Sequence, residues 1–469
     1  MFSNTVLLRY KKRYFQFKPA QIVVFGFFCM ILMGTFLLTL PAASKDGHSL
    51  RFIDALFTAT SAVCVTGLVV VDTGMQYSLL GQIVVIMLIQ IGGLGWMSMA
   101  TLIAFAFGKR ITLRERLLIQ ESYNQYSLRG LVRLARRIIF FTVVFELSGG
   151  LIMAARLSGM VPFGKALYYG IWHSVSAFCN SGFDLFGEVF GKKFVSLINF
   201  AEDPVMSLTI AGLIIFGGLG FPVLAEIFQR RTVEPGRQRF SLHSKVVIAT
   251  TILLLAAGTI LIIFFEYHNT LDTLSWSGKL LGGFFQSVTP RTAGFNTLPI
   301  GGMREVTLFL LIVLMFIGAS PSSTGGGIKT STFAVLMLTV RSVIKGRQEP
   351  QVFGRRIKMD LVAKALTVAV LSLLLVILVT AFLSTHEPDH FAARGMKFGF
   401  INLLFEVTSA FGTVGLSTGV TPFLSTPGKL AIILTMFAGR VGPLSLVVAL
   451  AQQEETVRAQ FPQAKVMIG

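Results

Sequence analysis

One short pattern occurs four times in this chain. TATSAVCVTGL ends at Leu68, SVSAFCNSGF at Phe183, FFQSVTPRTAGF at Phe295 and FEVTSAFGTVGL at Leu416. Aligned on Gly67, Gly182, Gly294 and Gly415, the copies lie 112 to 121 residues apart. An aromatic stands ten residues before each glycine: Phe57, Trp172, Phe284 and Phe405. A small residue stands five before it (Ala62, Ala177, Thr289 and Ala410), and a large apolar one follows it. A second set, Gly92, Gly217, Gly318 and Gly439, lies downstream inside apolar segments. Self-similarity of this kind means one structural unit used repeatedly.

Each unit is built for a bilayer. Of the 469 residues, 53% are hydrophobic and 13% charged, against about 25% charged in a soluble domain. Apolar runs of about 20 residues recur, long enough to cross roughly 30 Å of hydrocarbon as helices. The first, Ala20 to Leu40, is uncharged, long for a signal-peptide core and followed by no A-x-A cleavage site, so it reads as a retained helix. Predicted spans are 20–40, 78–107, 134–156, 205–229, 244–266, 303–343, 361–384 and 428–450. The segments before the aligned glycines (51–62, 167–178, 277–289 and 396–410) are too short to cross and read as re-entrant. The expected fold is therefore an all-α membrane protein of eight transmembrane helices and four re-entrant pore loops. Its four pseudo-fourfold repeats cover 20–107, 134–229, 244–343 and 361–450, between a cytoplasmic segment 1–19 and a tail 451–469.

Formal net charge is +19. On a soluble protein that would suggest nucleic acid. Here most of the basic residues fall in four stretches between spans: Arg9–Lys18, Lys109–Arg137, Arg230–Lys245 and Arg341–Lys364. The positive-inside rule puts all four, and both termini, in the cytoplasm. Anionic head groups or an acidic protein surface are then the expected partners, and nucleic acid is not.

Irregular backbone at membrane depth is tolerated only where protein buries it or it lines a wet cavity. Four glycine turns around one axis can present backbone carbonyls that replace the water around a cation. Glycine lets successive carbonyls turn toward that axis without steric cost, and the C-terminal end of each preceding half-helix favours a cation. The expected ligands are the carbonyls of Cys64, Val65, Thr66 and Gly67; Cys179, Asn180, Ser181 and Gly182; Arg291, Thr292, Ala293 and Gly294; and Gly412, Thr413, Val414 and Gly415. The Arg291 side chain must point away, which makes the third turn the least typical.

Repeat three alone shows a break in its second span, FIGASPSSTGGGIKTSTFAV. Pro321, Ser322, Ser323, Thr324, Gly325, Gly326 and Gly327 cannot continue a helix cheaply. The expected result is a loop, 318–330, beneath the turns, able to plug a pore. GGGIKTS is not a phosphate-binding loop, because Ile328 separates glycine from Lys329. Lys329 marks either the cytoplasmic boundary or part of the gate. Arg440, mid-span beside Gly439, is a functional candidate by default. It either holds the repeat-three loop by its carbonyls or pairs with a helix end.

Other polar residues offer little chemistry. The three cysteines (Cys29, Cys64 and Cys179) and six histidines have no metal spacing. The cysteines read as packing residues, and the histidines as solvent or interface residues. Glu406 balances a charge or caps structure. Glu146 is the main carboxylate within a span and is assigned to an outer helix. A sodium- or proton-coupled secondary carrier is the alternative to a gated pore, but a carrier usually needs a midplane carboxylate or broken-helix site. No paired carboxylates, histidine cluster or nucleophile triad suggests an enzyme.

SAVCVTGL, SAFCNSGFDLF, SVTPRTAGFNT and TSAFGTVGLSTG resemble the filter sequences of the Trk/Ktr/HKT superfamily of potassium transporters. Without an extra N-terminal helix pair, the chain is most similar to Ktr-type membrane subunits. The resemblance implies potassium in the filter, one pore per protomer of a homodimer, and sodium dependence in many members. It also implies an octameric cytoplasmic KtrA-type RCK ring that carries ATP or ADP, which this chain would not bind. In this family a loop like 318–330 serves as the gate. The setting is a bacterial plasma membrane.

Overall fold

The uncharged run near the N-terminus is a helix, α1 (Pro19–Thr39). It is one of four long apolar helices in this computed structural model, which describes residues 19–95, 131–229, 240–347 and 349–442. The others are α4 (Leu131–Leu157), α8 (Leu242–Glu266) and α12 (Met359–His386). Each has a stretch long and apolar enough to cross a membrane. Their outward faces carry bare hydrophobes such as Phe36, Leu151, Phe264 and Leu378, as a helix facing lipid should.

Each long helix is followed by a short one: α2 (Phe52–Val63), α5 (Phe163–Phe178), α9 (Trp276–Val288) and α13 (Phe400–Gly412). At 1.5 Å per residue these are about 18 to 24 Å long, too short to cross. They are also the most buried helices, with Phe57, Phe178, Phe285 and Phe411 fully covered. A third helix completes each unit: α3 (Leu79–Leu94), α6 (Pro204–Gly218), α10 (Glu305–Phe316) and α14 (Thr426–Val441).

The third helices start at deliberate caps. Ser78 and Ser425 cap α3 and α14 through side-chain oxygens, and Asp203 caps α6. Carboxylates from neighbouring segments tie these starts together. Glu387 accepts from the Ser425 N–H and hydroxyl. Glu266 accepts from the Arg304 N–H (3.0 Å) and the Thr307 hydroxyl (2.5 Å) at the start of α10. Glu202 accepts from the Ser275 hydroxyl and N–H at the cap of α9, and those two bonds hold its carboxyl below the usual range.

The expectation that only repeat three is broken does not hold. The single helix predicted over 205–229 is two, α6 and α7 (Phe221–Gln229), meeting at 104° across Gly220. Gly95 and Gly442 stand at the same place, three residues after Gly92 and Gly439. Like Gly220 they have left-handed φ, of 80°, 90° and 92° for Gly95, Gly442 and Gly220. Helices α3 and α14 end there. The physical reason is the spacing Gly-x-x-Gly: the first glycine permits close packing, and the second ends the helix in a conformation that residues with a Cβ rarely adopt. In repeat three Pro321 takes the second place, and α10 is followed by loop 317–329 and then α11 (Thr330–Ile344). The far parts of the predicted spans 78–107 and 428–450, and the tail 451–469, lie outside the described residues. A short antiparallel pair, β1 (Gln351–Val352) and β2 (Arg355–Arg356), follows α11.

Candidate ion pathway at the four glycine turns

Helices α2, α5 and α13 end in the same way. The N–H of Thr66, Ser181 and Val414 reaches back to the carbonyl of Ser61, Ser176 and Ser409, at 2.7 to 2.8 Å. One residue earlier, Val65, Asn180 and Thr413 donate to Ala62, Ala177 and Ala410 at 3.0 to 3.1 Å. This is the helix-ending motif that glycine usually serves, with its left-handed position filled by Val65 (φ 57°), Asn180 (φ 60°) and Thr413 (φ 49°). Thr292 (φ 74°) is at the same register in repeat three, although that turn closes through Ala293 to Thr289 instead. A left-handed valine or threonine costs about 1–3 kcal/mol and persists only where surrounding structure enforces it, typically at functional sites.

Two residues on, Gly67, Gly182, Gly294 and Gly415 are left-handed as well, with φ between 71° and 92°. In an ordinary extended segment, successive carbonyls point to opposite sides. Alternating the sign of φ brings them to one side. The four turns also meet in a closed cycle. A Cβ on Gly182 would lie 2.6 Å from the Ala293 carbonyl oxygen, and one on Gly294 would lie 2.6 Å from that of Val414. A Cβ on Gly415 would overlap the Thr66 carbonyl, and one on Gly67 that of Ser181. The cycle thus runs through repeats one, two, three and four and back to one.

The second glycines seat the third helices against these turns. Cβ atoms at Gly92, Gly217 and Gly439 would overlap the carbonyls of Val63, Phe178 and Phe411, each four residues before its turn glycine. Gly318 faces Gly326 of the 317–329 loop instead.

That loop is closed at its neck by a bridge between Ile317 and Ile328. The Gly326 N–H donates to the Thr413 hydroxyl (3.0 Å), and Gly325 abuts the Thr292 hydroxyl. Ser320 and Thr324 donate from their N–H groups to Gly218 (3.0 Å) and Gly217 (3.3 Å), and the Thr324 hydroxyl donates to Phe178 (3.2 Å). Lys329 folds back onto the carbonyls of Gly325 (2.7 Å) and Gly326 (3.4 Å). Arg440 donates to the Thr324 carbonyl of the loop and to the Gly92 and Gly93 carbonyls at the end of α3. Arg440 thus bonds both to the loop and to a helix end. Pro321, Ser322 and Ser323 form the half-buried far rim, where the Ser322 carbonyl accepts from the Phe221 N–H (2.9 Å).

Residues 11–458 match the family described as TrkH, a cation transport protein. The chain belongs to the TrkH cation transport family. It is 41% identical over 459 residues to the Ktr system potassium uptake protein B of Bacillus subtilis, covering 97% of this chain and 98% of that one. It is 38% identical over 454 residues to the potassium/sodium uptake protein NtpJ of Enterococcus hirae, covering 96% and 97%. Its fold is similar to that of the potassium transporter TrkH from Vibrio parahaemolyticus, with a TM-score of 0.70 over 94% of this chain and 86% of that one, at 18% identity.

In this TrkH-family chain several side chains near the turns have roles the sequence reading missed. Ser61 and Ser409 accept from the N–H of Gly67 and Gly415, each at 3.1 Å, while Ser176 donates to Phe183 (2.7 Å). In repeat three Thr289 donates to Phe295 (2.5 Å). The signal was available: a serine precedes the aligned alanine in three copies. His173 is not at solvent or an interface. It is fully buried, with Nε2 accepting the Leu185 N–H (3.0 Å) and Nδ1 beside the Tyr169 carbonyl (2.7 Å). Glu406, at the same register, accepts the Thr418 N–H (2.8 Å) and bonds from Ser417 and Thr421. Both pin the chain three residues past a turn glycine. Glu146 is on the long helix α4, and its side chain is 8% exposed and turned inward. Arg291 reaches away to Thr251 on α8 (3.2 Å). Among the described residues no group of His, Cys, Asp or Glu could hold a metal ion.

Proposed function

We propose that this chain is the ion-translocating subunit of a Ktr-type potassium uptake system. The observation that carries it is the closed cycle of four left-handed glycine turns, which can offer rings of backbone carbonyls to one dehydrated cation. On this reading the ligands are the carbonyls of residues 64–67, 179–182, 291–294 and 412–415, in an eight-span, four-loop layout. Potassium is favoured by the Ktr proteins at 38–41% identity, and a role for sodium by the NtpJ relative.

Loop 317–329 is the gate on this reading, held under the turns by Thr324 and Arg440 and braced internally by Lys329. Two cationic side chains close to the path oppose passage of a cation until the loop moves. The Ktr naming of the relatives supports a partner subunit. We assign it the form of a cytoplasmic RCK ring that binds ATP or ADP and acts on a homodimer of this chain. Both termini then lie in the cytoplasm of a bacterial cell.

The test is growth of a potassium-uptake-deficient bacterium carrying this chain and an RCK partner, with rubidium flux into vesicles. Rescue at low potassium with flux is expected. Neither rescue nor flux from well-expressed protein overturns the assignment.

A further inference from the structure

Glu146 lies in the middle of α4, where a carboxylate is costly unless it serves a purpose. It is turned into the protein, toward the second turn. Its Oε2 accepts from Gln90 Nε2 of α3 at 3.2 Å. Its Oε1 lies 3.9 Å from Cys179 Sγ, and the same thiol donates to Gln90 Oε1 at 3.3 Å. Space for the thiol comes from Gly93, where a Cβ would stand 2.9 Å from Cys179 Sγ. Apolar packing walls the group in: the Phe145 ring, next to Glu146, stacks on Phe216 (4.6 Å) and Phe178 (5.8 Å).

Cys179 ends helix α5 and supplies the first candidate carbonyl of the second turn. Its side chain and its carbonyl are fixed on one α-carbon. Restraining the thiol from behind therefore restrains the peptide that faces the path. The corresponding residues are Cys64, Arg291 and Gly412, and among the described residues no carboxylate bonds to any of them. Among the described residues a carboxylate support is peculiar to repeat two, whose turn is also flanked by the loop through Thr324 and Phe178.

We propose that Glu146, through Gln90 and Cys179, is a positioning residue that sets the spacing of the second-turn carbonyls and so the preference for potassium over sodium. It acts by accepting hydrogen bonds and touches no ion. The inference rests on the pore reading above.

The experiment uses full-length protein in proteoliposomes with its RCK partner, comparing potassium and sodium flux and the KM for potassium. E146A is expected to lower the potassium-to-sodium ratio about three- to tenfold, the scale of a lost buried hydrogen bond, and to raise KM more than it lowers maximal flux. Q90L should do the same and serves if E146A does not fold. E146Q, which keeps an acceptor oxygen, should stay within about twofold of the unmodified protein. The E146A/C179A double variant should be no worse than the worse single one, because both cut one chain of contacts. Unchanged ratios in E146A and Q90L, an E146Q as impaired as E146A, or independent multiplication in the double variant each overturn the inference. An unmodified protein without flux would overturn the pore reading instead.

Discussion

Lys429 of α14 and Asp54 of α2 form a buried ion pair, Nζ to Oδ1 at 2.7 Å, across 375 residues of sequence. It joins the last repeat to the first, where the cycle of four closes. Both side chains are almost wholly covered, and Arg51 also bonds Asp54 at 2.7 Å. Removing Lys429 leaves the buried Asp54 carboxylate with Arg51 alone, a loss of up to about 3–5 kcal/mol. K429A is therefore expected to lower the melting temperature of the detergent-solubilised protein sharply. K429M/D54L, with neither charge, should recover much of the loss. Equal melting temperatures for K429A and the unmodified protein would show that the pair does not hold the ring.

The turn glycines are a steric requirement as well as a conformational one. Any Cβ at Gly67 would overlap the Ser181 carbonyl of the next repeat. G67S is expected to lower the potassium-to-sodium flux ratio about tenfold or more, which corresponds to roughly 1.4 kcal/mol of lost discrimination. Gly212 is the control. Nothing lies within 4 Å of a Cβ placed there, so G212A should leave flux and preference unchanged.

The turns were legible because their requirement falls on single residues at fixed register. Gly67, Gly182, Gly294 and Gly415 each need a left-handed backbone, and no common side chain substitutes freely. The loop 317–329 was legible because Pro321 and three glycines oppose helix so strongly. The bend at Gly220 was not, because glycines in an apolar run read equally as packing residues. The inward turn of Glu146 was hidden for a different reason. A helix apolar on most sides does not announce which face meets the protein, and Gln90 and Cys179 are distant in sequence. The Asp54–Lys429 pair is hidden likewise, since a contact between repeats depends on how the units close.

Glu406 offers a test of the chain beyond the fourth turn. Its carboxylate accepts from the Thr418 N–H and from three hydroxyls, those of Ser417, Thr418 and Thr421. E406A leaves the buried Thr418 groups unpaired, at a cost of about 1–3 kcal/mol. The expected result is lower thermal stability together with a raised KM for potassium. E406Q, which can still accept, should lose less of both. A stability loss with unchanged KM would limit Glu406 to a structural role.

Arg440 bridges two elements that must separate if loop 317–329 is to move. One guanidinium nitrogen holds the Thr324 carbonyl, and the other holds Gly92 and Gly93 at the end of α3. Charge-assisted bonds of this kind contribute about 1.5–3 kcal/mol each. Losing the bridge should raise potassium flux without the proposed RCK partner by roughly 10- to 100-fold. R440K should fall between, because an ammonium lacks the planar fork that spans both acceptors. K329A should have a smaller effect, since among the described residues Lys329 bonds to Gly325 and Gly326 within the loop and braces its shape. Flux measured with and without the partner separates these outcomes. If R440A conducts no more than the unmodified protein, the guanidinium does not hold the gate shut, and the contact to Thr324 is packing alone.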